Sequence, residues 1–153
     1  ADLQAQFELE SRLAMQLSSS SEAILQARSL RDQLRKLADS NANNKAATDA
    51  LQKLTAILSG TSQAEGGQPG LTKVNGNVSS LYGAVGQADA APTPAEIAAA
   101  ADNEKDLTEA MKRWEQFKTT DLPALNRDLK AASLPELHIE SAARLERNQS
   151  DME

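Results

Sequence analysis

The residues able to do chemistry are few in this sequence, and their spacing limits what each group can do. His138 is the single histidine. It has no Glu-x-x-His partner pair, so a di-iron site between helices has no ligand set. The same count rules out a Ser-His-Asp arrangement anywhere away from position 138. Asp102, Asp106 and Glu109 fall on one helical face and offer oxygens of the kind a hard cation takes, although such runs usually form a solvated face. Arg28, Arg31, Arg35 and Lys36 make a basic patch suited to anions or lipid headgroups; compensation of a helix dipole accounts for them without a partner. Cysteine is absent, which removes disulfides and thiolate metal sites, and no glycine motif cradles a phosphate. The expectation is a chain with no catalytic residue, no metal and no cofactor.

The elements carrying these residues are long and apolar on one side. Thr93, Pro94 and Glu96 supply a capping hydroxyl, a first-turn proline and a carboxylate three residues after the cap, a strong helix start. From there Leu107, Met111, Trp114, Phe117, Leu122, Leu125 and Leu129 recur at steps of three to five, predicting a helix over 94–132. Pro123 lacks an N–H for the Thr119 carbonyl, so a kink or break is expected near 119–123, with Asp121 capping the restart. A first helix over 2–38 carries Leu3, Phe7, Leu13, Leu17, Ile24, Ala27, Leu30, Leu34 and Leu37. Its serines Ser18 to Ser21 change the composition without ending the helix, and admit a close neighbour. A second helix over 45–59 stops at Gly60, and Thr61 to Gly70 is expected to be an exposed, mobile loop. The stretch 71–88 contains Val74-Asn75-Gly76-Asn77-Val78, which resembles a hairpin turn. Leu71, Val74, Val78, Leu81 and Val85 nevertheless alternate steps of three and four, and strands would scatter them onto both faces. That predicts a third helix. Asp89 to Pro92 then turns the chain.

Composition agrees with an all-α domain. The chain has 153 residues, 40% of them hydrophobic and 3% aromatic, enough for one core and too few for two. A net charge of −6 argues against nucleic acid, whose binding draws on clustered Lys and Arg. No apolar run approaches the roughly eighteen residues of a membrane span. No signal peptide is read in these residues, and because the chain opens at Ala1 already inside a helical pattern, the expectation is an excised piece whose upstream signal is missing.

Short links between consecutive helices predict an antiparallel up-down four-helix bundle over residues 1–135, with two long outer helices and two short middle ones. The remaining residues, 136–153, form an expected disordered tail, apart from Leu134, Leu137 and Ile139 lying extended on the bundle. In this arrangement Arg28, Arg31, Arg35 and Lys36 pair with Glu96, Asp102, Glu104 and Asp106, while Glu8 and Glu10 face Lys118, Arg127 and Lys130. The middle helices reach only halfway down, leaving a two-helix stalk. Leu3, Phe7, Leu13, Trp114, Phe117, Leu122 and Leu125 are then candidates for a binding interface.

The stretches Asp2 to Leu9 (DLQAQFEL), Ala27 to Leu34 (ARSLRDQL) and Trp114 to Asn126 (WEQFKTTDLPALN), with the ending Leu134-Pro135, resemble the C-terminal helical domain of large bacterial proteins that carry sortilin-type or bacterial-neuraminidase-repeat β-propellers, often labelled glycosyl hydrolases. The resemblance covers roughly Asp2 to Pro135 and departs at Gly66 to Gly70, where relatives have a longer link. It implies a secreted or periplasmic parent, with any glycosidase activity in upstream domains and none of its residues here. The expected role is a non-catalytic module that docks on those upstream domains or on a second copy. A free-standing ligand-binding or sensor bundle is the alternative, and it needs an apolar pocket inside the bundle.

Overall fold

The computed structural model describes residues 2–88 and 90–152, and these are helix and loop with no strand among them. α1 spans Asp2–Ser40, α2 Lys45–Ser59, α3 Leu71–Gln87, α4 Pro94–Gln116, α5 Leu122–Ala131 and α6 Ala142–Ser150. The expected turn at Asp89 to Pro92 and the expected frayed end at Glu153 fall partly outside the described residues.

Local chemistry sets most of the boundaries. Thr93 Oγ1 accepts from the Glu96 N–H at 3.1 Å while Glu96 Oε1 accepts from the Thr93 N–H at 2.9 Å, so the reciprocal cap of α4 is complete. Asn44 caps α2 by accepting from the Ala47 N–H at 3.1 Å. α1 runs unbroken through its serines. Ser20 is fully buried, donating to the Leu17 carbonyl at 3.2 Å and accepting from Asn75 Nδ2 of α3 at 2.8 Å. These small residues let α3 approach closely, and the hairpin-like sequence around Gly76 is helical.

The arms are ordered differently from the expected bundle. Gln6 Nε2 donates to the carbonyls of Val85 and Ala88 at 3.0 and 2.7 Å, and Asn75 reaches Ser20 and Ser21. α3 therefore runs antiparallel to the N-terminal half of α1. The link at 41–44 folds α2 back on the C-terminal half. α2 and α3 thus point the same way, end to end, and together match α1, whose 39 residues span about 58 Å. α4 returns beside α3, where the Arg113 guanidinium donates to the Pro69 carbonyl. α5 continues beside α2, with Lys53 Nζ 2.9 Å from Asp121 Oδ2. The molecule has three arms, α1, α2–α3 and α4–α5, in place of the four-helix order and the two-helix stalk.

The segment between α2 and α3 makes this possible. It leaves and returns at one point, an Ω-type excursion. Thr61 N–H donates to the Gln68 carbonyl at 2.9 Å and Gln68 N–H to Thr61 Oγ1 at 2.9 Å, while Glu65 Oε2 accepts from the Ser62 hydroxyl at 2.8 Å. Gly70 is buried at the neck, where a Cβ would lie 2.6 Å from the Leu58 carbonyl oxygen and closer still to the Gly60 nitrogen. The expected mobile loop is instead a closed one.

Near Pro123 the helix widens rather than breaks. Residues Phe117–Asp121 form a π-helical turn in which the Leu122 N–H bonds to the Phe117 carbonyl. Leu122 follows Phe117 by five positions, a step that an α-helix turns about 140° out of line and a π-turn restores to one face. Pro123 then sits in the first turn of α5, where a missing N–H costs least. Asp121 makes no cap bond; its carboxylate pairs with Lys53.

α5 ends in a Schellman arrangement, with Leu134 N–H on the Leu129 carbonyl at 2.8 Å and Ser133 N–H on that of Lys130 at 3.1 Å. Ser133 occupies the left-handed position at φ 60. The tail expected to be disordered then forms a strap. Asn126 exchanges two bonds with the backbone of Leu137, at 2.8 and 3.1 Å, and Leu137 is buried. Gln33 exchanges two with His138 at 2.9 and 3.3 Å, and Gln26 donates to the Glu140 carbonyl at 3.3 Å. Ser141 caps α6, which lies on α1.

Candidate interaction surface

Most of the residues expected at an interface are core. Leu13, Trp114, Phe117, Leu122 and Leu125 are all buried, because α3 covers the length of α1 that was expected to stand bare, while Phe117 and Leu125 lie against α2. The Trp114 and Phe117 rings stack with centroids 6.2 Å apart and planes 11° from parallel, and Lys118 Nζ lies 5.4 Å from the centre of the Trp114 ring.

Only Leu3 and Phe7 of that set face solvent, at 75% and 68% exposure. They have company that the sequence reading missed: Met15 at 72% on α1 and Ile97 at 56% on α4. The signal that would have separated them is Leu9, which is buried. At 100° per residue, Leu9, Leu13 and Ile24 cluster within about 60° of one another, and Phe7 and Met15 fall well outside that arc. α1 is thus apolar on two sides near its start, one turned to the core and one to water.

A groove of about 590 Å³ separates this face of α1 from the start of α4, with apolar walls of Ala5, Phe7, Leu9, Pro92 and Ile97 and with Glu8, Ser11 and Arg12 also along it. Acids dominate this end. α1 brings Glu8, Glu10 and Glu22 against Arg12, and the first five turns of α4 bring Glu96, Asp102, Glu104, Asp106 and Glu109 against Lys105. α3 adds Lys73 alone. The charge pairing expected between the first and last long helices is not made. α1 and α4 run parallel, so Arg28 to Lys36 and Glu96 to Asp106 sit at opposite ends, as do Glu8 and Glu10 relative to Lys118, Arg127 and Lys130. Arg31 instead lies 3.9 Å from Asp32 of its own helix.

The C-terminal half of α1 has its outer face covered. α6 lies along it, with Leu145 and Asn148 facing Leu25, Arg28 and Asp32 across a shallow groove. His138 contributes only backbone groups to the strap. Among the described residues no group of three or more His, Cys, Asp or Glu is placed to hold a metal ion, and no described helix is long and apolar enough to cross a membrane.

No family model, curated protein or solved structure matches the chain, and nothing in those comparisons links it to the propeller proteins expected from its sequence.

Proposed function

We propose that the chain is a non-catalytic helical interaction module, built to dock on another protein surface. The observation carrying this reading is the exposure of Phe7 and Ile97 on the two sides of the groove between α1 and α4, with Leu3 and Met15 also in solvent on the half of α1 that α6 leaves bare. Apolar side chains scattered singly are ordinary, but large ones exposed on both sides of an apolar groove mark a binding surface. The alternative of a ligand-binding bundle needs an interior cavity, and the interior at mid-length is filled by the stacked Trp114 and Phe117. The family resemblance supplies the context: a secreted or periplasmic parent whose upstream domains, or a second copy of this chain, take the docking face. Titration with an apolar fluorescent dye tests the surface. Saturable dye binding that is lost in a Phe7→Ser, Ile97→Ser double variant of unchanged helicity is the expected result. Absence of dye binding in the parent sequence, or its persistence in the variant, overturns the reading.

A further inference from the structure

Three features of the exposed half of α1 bear on what it receives. First, the fold itself displays a helix seated on the outer face of α1, since α6 occupies that position over the C-terminal half and no helix among the described residues does so over the N-terminal half. Second, the uncovered face has the profile of a helix seat. Phe7 and Met15 are large and exposed, Ser11, Ala14 and Ser18 are small, and the groove toward Pro92 and Ile97 runs beside Phe7 and Ser11. Third, this end of the molecule is acidic, since Glu8, Glu10 and Glu22 on α1 and Glu96, Asp102 and Glu104 on α4 outnumber Arg12 and Lys105, and Glu8 and Arg12 are the charged residues along the groove itself.

We propose that the N-terminal half of α1, with the start of α4, receives an amphipathic helix of a partner polypeptide whose apolar ridge enters the groove and whose flanks carry Lys and Arg. The inference rests on the docking role and specifies its partner. Apolar burial supplies the attraction in such helix-in-groove pairs, and complementary flanks raise the association rate and select the partner. A second copy of this chain fits the face less well. Two of these acidic N-terminal halves laid together would oppose like charges, which disfavours self-pairing.

The test uses the full chain and three fluorescein-labelled peptides of eighteen residues: a leucine–lysine helix with leucine at helical spacing, a scrambled peptide of the same composition, and a leucine–glutamate helix. The expected result is binding of the leucine–lysine helix about tenfold or more tighter than either control, weakened about tenfold by Phe7→Ser with Ile97→Ser, with amide shifts concentrated on residues 3–18 and 92–104. Those two side chains are exposed, so the variant keeps the fold, and neither change alters charge. Equal binding of the scrambled peptide reduces the effect to bulk electrostatics and overturns the proposal. So does absence of peptide binding, or a chain dimer in sedimentation that Phe7→Ser dissolves, which would make the occupant a second copy. Dye binding at the patch without selectivity for the basic helix would leave the docking role standing and remove this partner alone.

Discussion

The two halves of α1 meet water differently, although both carry the same kind of inward stripe. Over the C-terminal half, Leu30, Leu34 and Leu37 face α2 and α5, and the strap with α6 closes the outside. Over the N-terminal half the inward side is equally sealed, by α3 and α4, but Leu3, Phe7 and Met15 remain in solvent, Phe7 beside the start of an acidic α4. A complete core is therefore compatible with an incomplete surface. The inner stripe holds the fold and the outer one is free for another use.

The largest expected effect lies where the halves join. Trp114→Ala removes a fully buried ring and its stack on Phe117, and should cost about 3 to 5 kcal/mol in chemical denaturation. A loss under about 1 kcal/mol would mean that the halves do not share that core. Next comes the neck between α2 and α3. Gly70→Ala forces a Cβ into backbone atoms and should cost about 1 to 3 kcal/mol or more, whereas Gly76→Ala in mid-α3 meets nothing within 4 Å and should stabilise by about 0.5 to 1 kcal/mol. Paired thermal melts read both signs, and equal effects would contradict the end-to-end placement of α2 and α3.

Asn126→Ala sharpens the contrast in covering. It leaves the backbone groups of buried Leu137 unpaired and should cost about 1 to 3 kcal/mol, with faster amide exchange in the strap and α6 while α3 is unchanged. Uniform exchange across the chain would tie the strap to global unfolding instead. The smallest effect is at the Ω loop. The Ser62 hydroxyl, and then its N–H, hold the Glu65 carboxyl below the ordinary carboxylate range. A depressed folded value means that this contribution is complete above the unfolded pKa of about 4.3 and fades as pH falls through the lower folded value. A side-chain titration by NMR with its midpoint at or above the ordinary value would refute the loop bonds.

Much of the helix pattern was legible because its causes are local. Thr93, Pro94 and Glu96 announce α4 whatever surrounds them, and the three-four spacing of Leu71 to Val85 outweighs the glycines of α3. The strap escaped because its order comes from partners far along the chain: Asn126 for Leu137, and Gln33 for His138, 105 residues away. The interface candidates were only partly separable. Leu13 and Phe7 look alike in a periodic listing, and their fates differ by how far around the helix each falls from Leu9.

The sequence by itself determined that this chain is helical, that its helices start and stop near Thr93, Asn44 and Gly60, and that they have apolar faces to bury. Periodicity and capping act within a turn or two, so they can be read without knowing the fold. Only the tertiary structure decided which way the helices point. Whether eleven residues from Gly60 to Gly70 reverse the chain or return it to its own line depends on two glycine backbones touching at the neck, and on α3 covering the part of α1 that α2 is too short to reach. That choice turned an expected stalk into a filled core, and it moved the acidic, apolar face to the outside of α1.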